Sequence, residues 1–171
     1  MAQRVVLLAD THLPRFGRRL PEPVERALAR ADRILHAGDI TAPFVLDLLR
    51  AYAPTDAIAG NNDPPELVER LGLTRIVELE DVRIGLTHGH AGPGRTTPER
   101  AWRTFAAAEF PVDAIAFGHS HVPIVERRDG VWLLNPGSPT DRRRQPAFSF
   151  VSLEVDGREL RPRLVTFSRR A

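Results

Sequence analysis

Along the chain, short apolar runs alternate with polar segments rich in glycine and proline. Residues 4 to 9, RVVLLA, are continuously apolar and β-branched after the arginine, which predicts a strand covered on both faces, and the run stops at Asp10-Thr11-His12. Helical spacing follows at Val24, Leu28 and Ala31, then a short strand at Ile34 to His36 that stops at Gly38-Asp39. Thr41 is placed to cap a second helix, with Pro43 in its first turn and a core face of Val45, Leu48, Leu49 and Tyr52. Asp56 to Ala59 reads as a third strand, closed by Gly60-Asn61-Asn62-Asp63. This βαβαβ order predicts right-handed crossovers and a parallel sheet.

Beyond residue 75 the texture changes. Strands are expected at Arg75 to Leu79, Val82 to Thr87 and Asp113 to Phe117, with a helix beginning at Thr97-Pro98-Glu99 that buries Ala101, Trp102 and Phe105. The remainder reads as β structure: apolar runs at 124 to 126, 131 to 134, 148 to 155 and 160 to 167, with Asp129-Gly130 and Asp156-Gly157 as hairpin turns. Two stacked sheets with helices outside accommodate this pattern.

The 171 residues, 42% of them hydrophobic and 27% charged, are expected to form one domain spanning 1–171. Cysteine is absent, which removes disulfides, thiolate catalysis and sulfur-ligated zinc. The pI of 10.2 reflects the high pKa of arginine, the sole basic residue besides histidine, and the net charge is only +2. Nucleic acid is therefore not indicated as a partner. No apolar run approaches the roughly 20 residues of a membrane span, so a cytoplasmic protein without membrane contact is expected.

The chemistry concentrates where strands are predicted to end: Asp10 and His12, Asp39, Asn61, His88, then His119 and His121. An isolated His-x-His at a strand end is usually a pair of solvated side chains. Seven metal-capable residues at successive strand ends are different, because ligands of open α/β sheets bind beyond the carboxyl ends of the strands. Residues i and i+2 of an extended chain also face one side, which directs both imidazoles into one space. Two carboxylates against two divalent cations leave a positive site for a phosphate, and a carboxylate such as Asp39 has the two oxygens that a bridge needs. The imidazoles favour manganese, iron, cobalt, nickel or zinc over magnesium or calcium.

In order, Asp10-x-His12, Gly38-Asp39, Gly60-Asn61-x-Asp63, Thr87-His88-Gly89-His90 and Gly118-His119-x-His121 resemble the five motifs of the calcineurin-like metallophosphoesterase superfamily. The short length and Asn135-Pro136-Gly137-Ser138 resemble its compact YfcE-type phosphodiesterases. The resemblance implies a four-layer α/β/β/α sandwich of two mixed sheets flanked by helices. It also implies two divalent transition-metal ions, manganese first among them, one held by Asp10, His12, Asp39 and His121 and the other by Asp39, Asn61, His88 and His119. The implied reaction is hydrolysis of a small phosphodiester or nucleotide-like substrate by in-line attack of a metal-bridging hydroxide.

A phosphomonoesterase or nucleotide phosphohydrolase with the same metals is the alternative. A protein-binding scaffold like the retromer subunit of this fold is the alternative of another class, and a homo-oligomer is compatible with either. Asn62 stands where the superfamily commonly has a histidine that protonates the leaving group, oriented by the acid that is Asp63 here. Asn62 is retained as a substrate contact, and His90 as an alternative proton donor or a surface residue. His36 reads as a core histidine. Arg15, Arg18 and Arg19 and the run 142 to 144 read as substrate-phosphate contacts or as a solvated face.

Overall fold

A computed structural model describes residues 1–109 and 111–168. The first sheet contains β1 (Gln3–Leu8), β2 (Arg33–Ala37) and β3 (Thr55–Ile58), with α1 (Glu22–Leu28) and α2 (Pro43–Arg50) as crossovers. After α3 (Pro65–Leu71) the chain enters the second sheet through β4 (Thr74–Leu79) and β5 (Val82–Thr87), followed by α4 (Thr97–Ala106), β6 (Ala114–Ala116), β7 (Ile124–Arg128) and β8 (Val131–Asn135). It returns to the first sheet as the hairpin β9 (Phe148–Asp156) and β10 (Glu159–Phe167). The strand orders are β10-β9-β1-β2-β3 and β4-β5-β6-β8-β7. β1 to β3 run parallel, as do β5, β6 and β8, while the outer pairs are antiparallel, so both sheets are mixed.

Side chains alternate across each strand, and both faces of the first sheet are buried. Val5, Leu7 and Ala9 join Leu35, Ile58, Ile84, Leu86 and Leu134 between the sheets. Val6 and Leu8 face outward onto Leu28, Val45 and Leu49 of the helices. On the far side, Ala101 and Phe105 of α4 cover Ile115, Phe117 and Leu133. The layers are therefore helix, sheet, sheet, helix. Polar groups have little room within these faces, which leaves the strand ends for chemistry.

Three local expectations need correction. α2 is preceded by Ala42 without a side-chain cap, and Thr41 instead has φ 72° and donates its hydroxyl to the Leu13 carbonyl at 2.5 Å. The buried face of α2 is Val45, Leu46 and Leu49, whereas Tyr52 lies past the helix end and is 37% exposed. Trp102 of α4 is only partly buried and carries the Arg128 guanidinium over its ring. One element was not anticipated. α3 begins at Pro65 and buries Leu67 and Leu71, and its short Pro64-Pro65 start was the available signal.

Replacing the fully buried Leu35 by alanine is expected to cost about 2–5 kcal/mol of stability. Tyr52→Ala should cost less than about 0.5 kcal/mol. Urea unfolding of the two variants checks this, and comparable losses would put Tyr52 back in the core.

Candidate metal centre

The ends of β1, β2, β5 and β6 bring Asp10, His12, Asp39, His88 and His121 into one buried cluster. Asp10 Oδ1 lies 3.4 Å from His121 Nε2, 3.7 Å from His12 Nε2 and 3.8 Å from His88 Nε2. Asp39 Oδ2 lies 3.3 Å from His88 Nε2 and 3.5 Å from His12 Nε2. Two groups have the mutual spacing of metal ligands, Asp10 with His12 and His121, and Asp10 with Asp39 and His88. In this arrangement Asp10 is common to both groups, while Asp39 also spans two histidines.

Asn61 and His119 complete the rim. Both are less buried, and the Asn61 carbonyl oxygen is 3.1 Å from His119 Nδ1. The His119 ring stands edge-on to His88 with centroids 5.3 Å apart. Thus all seven residues meet, five in the cluster and two at its edge.

Backbone carbonyls set the direction of two rings. His88 Nδ1 is 2.8 Å from the Ala37 carbonyl and His121 Nδ1 is 2.6 Å from the Asp141 carbonyl. Only a protonated Nδ1 can donate to a carbonyl, so in the neutral rings Nε2 carries the lone pair and turns it inward. His12 Nε2 faces His121 Nε2 at 3.4 Å, and the two rings stack.

The result is an excess of lone pairs. Asp10 Oδ1 and His88 Nε2 are buried and have no hydrogen-bond partner among the described residues. Leaving buried polar atoms unpaired is costly, and a carboxylate oxygen more so. A divalent cation would supply what these atoms lack, and the nitrogen and oxygen donor set suits the imidazole-binding transition metals.

The local backbone is bent to achieve this. Asp10, His12, Asp39, His119 and His121 all have positive φ, between 45° and 67°. Such residues cost on the order of 1 kcal/mol or more each and gather at functional sites. Gly60 is required for close approach: a Cβ there would lie 2.2 Å from Asp39 Oδ1. Hydrogen bonds from Asp10 N–H to Gly38 and from His12 N–H to Asp39 hold the left-handed turns.

Several other residues act behind the cluster. Asn135, Ser138 and Thr140 brace it: the Asn135 amide donates to the Gly118 carbonyl, and the hydroxyls of Ser138 and Thr140 donate to the Asp10 carbonyl. Asp63 accepts backbone N–H bonds from Asp39, Gly60 and Thr41, tying two loops together. Asn62 donates both its backbone N–H and its side-chain amide to Asp39, at 2.9 and 2.7 Å. Arg100 braces the loop after His88 by donating to the Gly89 carbonyl. Sequence reasoning missed Thr140, Arg100 and the Ala37 and Asp141 carbonyls; backbone acceptors leave no mark in residue type.

His90 stands beside His88, with centroids 5.4 Å apart, and its buried Nδ1 has no partner among the described residues. Arg15, Arg18 and Arg19 are exposed, and Arg15 lies over the Phe16 ring.

Charge follows this geometry. Burial opposes ionisation of Asp39, but its contact with His88 and the Asn62 hydrogen bonds hold it well below the usual carboxylate range. Burial also opposes the His88 cation, yet with no metal bound the Asp39 and Asp10 carboxylates raise its pKa on balance; a metal at Nε2 would take the place of that proton. Burial and the neighbouring His88 charge lower His90 and His119. Burial raises Asp63 against its three amide donors. His36 is pushed down to about 3, chiefly by burial. It accepts from Gly38 N–H and meets the Thr11 hydroxyl, as a core histidine does.

A family model described as the calcineurin-like phosphoesterase superfamily domain matches residues 4–158. A probable metallophosphoesterase of Methanothermobacter thermautotrophicus is 35% identical over 154 residues, covering 90% of this chain and 87% of that protein. Phosphodiesterase MJ0936 of Methanocaldococcus jannaschii is 24% identical, covering 78% and 82%. The crystal structure of Chaetomium thermophilum Vps29 superposes with a TM-score of 0.79 at 20% identity, covering 98% of this chain and all of that one, and shares the fold.

His36 provides a pH test. It is neutral in the folded protein down to about pH 3 and charges near 6.5 when unfolded, so the unfolded chain binds the extra proton between these values. Its contribution to stability is full above pH 6.5 and declines by about 1.4 kcal/mol per pH unit as the pH falls toward 3. Between pH 7 and 5 the slopes of unfolding free energy against pH for wild type and His36→Gln should diverge, with the difference approaching one proton toward pH 5. Parallel slopes would contradict the buried neutral ring.

Proposed function

Because the chain belongs to the calcineurin-like phosphoesterase superfamily, we propose that its 171 residues form one metallophosphoesterase domain that hydrolyses phosphodiesters at a dinuclear centre. The observation that carries this is the pair of unpartnered, buried lone-pair atoms, Asp10 Oδ1 and His88 Nε2, at the focus of three imidazoles and a second carboxylate. Asp10, His12, Asp39 and His121 would hold one cation, and Asp39, Asn61, His88 and His119 the other, with manganese first and nickel, cobalt, iron or zinc as alternatives. Bound there, the cations supply positive charge against the phosphate oxygens and a nucleophilic water near neutral pH.

The chain's own groups do the rest. Asp39 is kept ionised by His88 and Asn62, so its oxygens stay available as acceptors. Asp63 fixes the Asp39 backbone without reaching the cluster. Arg15 and Arg18 provide guanidinium donors for a substrate phosphate. The name of the Methanocaldococcus relative favours a diester over a monoester. Likeness to Vps29 supports the scaffold reading, which predicts metal binding without turnover.

Purified protein loaded with manganese should hydrolyse bis(p-nitrophenyl) phosphate, and chelation should abolish the activity. Asp39→Ala should lower kcat/KM far more than Arg18→Ala, because the carboxylate sits among the cluster while the guanidinium is exposed. Equal losses would argue against Asp39 as a bridge, and bound metal without turnover on any phosphoester would favour the scaffold.

The amide at position 62 cannot surrender a proton near neutral pH. Positioned acid catalysis is worth roughly 10²- to 10⁴-fold and matters most for basic leaving groups. Nitrophenyl esters should therefore be cleaved well and alkyl esters poorly, and Asn62→His should help alkyl esters more. The Asp63 oxygens are already engaged by three backbone amides, so the new ring would need another orienting partner. Rates against leaving-group pKa for wild type, Asn62→His and His90→Ala decide this. A flat wild-type profile with chemistry rate-limiting would refute the missing acid, and a steeper profile in His90→Ala would assign the proton to His90.

A further inference from the structure

The surroundings of the cluster differ at its two ends. His12 and His121 stack at one end, with ring centroids 5.3 Å apart, and two arginine-bearing loops flank them. The first loop continues from His12. It is pinned where Thr41 donates to the Leu13 carbonyl and Thr140 to the Thr11 carbonyl, and it carries Arg15, Arg18 and Arg19. The second continues from Asp141, whose carbonyl accepts from His121, and carries Arg142, Arg143 and Arg144.

Few carboxylates answer these charges. Among the described residues, Glu25 pairs with Arg19 at 3.4 Å and Asp141 with Arg143 at 3.8 Å. Arg142 donates to the Gln145 and Pro146 carbonyls. Arg15, Arg18 and Arg144 make no ion pair among the described residues and are exposed. Arg15 is three residues from His12, so their Cα atoms are at most about 11 Å apart. Its guanidinium lies over the Phe16 ring, 5.4 Å from the centroid, and that ring in turn stands edge-on to His12 with centroids 6.4 Å apart.

The opposite end is formed by Asn61, Asn62, His90 and His119, with the His90 and His119 ring centroids 6.2 Å apart, and these four side chains offer amides and imidazoles rather than guanidinium groups. Arg100 at this end is turned into the loop carbonyls rather than outward.

We propose that the substrate carries a second phosphate on its non-leaving side, about one sugar unit from the scissile group, held by Arg15, Arg18 and the 142–144 loop over the His12–His121 end. The leaving group then points toward Asn62 and His90. The orientation follows from charge: an anionic extension is favoured over the two loops that carry Arg15, Arg18, Arg19, Arg142, Arg143 and Arg144, and gains less at the other end, where the loop after His90 exposes Arg95. This rests on the phosphodiesterase reading and narrows its substrate to polyanionic diesters such as phosphorylated nucleotides.

The test compares two esters with the same leaving group, thymidine 5′-(p-nitrophenyl phosphate) and its 3′-phosphorylated counterpart. In parallel, calorimetry on the metal-loaded protein compares thymidine 3′,5′-bisphosphate with thymidine 5′-monophosphate. Exposed guanidinium–phosphate contacts are worth about two- to fivefold each, so the extra phosphate should raise kcat/KM and affinity about tenfold. The gain should shrink as salt rises. The double variant Arg18→Ala with Arg144→Ala should remove most of the preference, and Arg95→Ala, in the loop at the other end, should leave it intact. Equal kcat/KM and affinity with and without the second phosphate would overturn the proposal. So would a preference lost in Arg95→Ala but kept in the double variant. A binding preference without turnover of either ester would retain the anion site while removing the hydrolase reading, so the two failures are separable.

Discussion

Asp10 divides its acceptor atoms among three parts of the chain. Its main-chain carbonyl takes the hydroxyls of Ser138 and Thr140, Oδ2 takes the His119 N–H at 2.9 Å, and Oδ1 is left among the Nε2 atoms of His12, His88 and His121. One buried residue, through its side chain and its carbonyl, thus fixes the β1 end against the loops after β6 and β8. An unpaired carboxylate oxygen in such a place is tolerable when positive charge stands close to it. The architecture holds that requirement in place: three apolar layers cover every sheet face, and the uncompensated atoms gather at the strand ends.

The same constraint explains the concentration of left-handed backbone. Five of the seven candidate ligands have positive φ, which a continuing strand could not supply. A side chain leaving a parallel strand in regular extension would point into a sheet face, whereas a left-handed turn aims it beyond the strand end. The conformational cost is met locally by hydrogen bonds such as Asp10 N–H to Gly38 and Gly118 N–H to His88, and by glycines where chains nearly touch. Gly118 is such a point, because a Cβ there would lie 2.7 Å from Asp10 Oδ2.

Much of this was legible in the sequence, for identifiable reasons. β1, β2 and β5 are buried on both faces over most of their length, so they read as nearly continuous apolar runs, and the residues that end them are polar against that background. The ends of α2 were harder to read. Thr41 has the residue type of a cap, but its hydroxyl is claimed by the Leu13 carbonyl, a tertiary partner that local pattern does not reveal. Tyr52 fits a helical period that stops two residues earlier, and Leu46 takes the buried place. The Ala37 and Asp141 carbonyls, which aim two imidazoles, belong to residues chosen for other reasons or for none visible in their side chains.

The loop from Gly60 to Asp63 shows how position 62 is used in this chain. Asn62 gives two donors to Asp39, and Asp63 takes three backbone amides, one of them that of Asp39 itself. Every polar group the loop directs toward Asp39 therefore acts on the placement or the ionisation of that carboxylate. A proton carrier at position 62 would have to give up the 2.7 Å amide bond to Asp39, and with it part of what keeps the carboxylate charged. Holding Asp39 and delivering a proton are competing uses of one short side chain, and the asparagine serves the first.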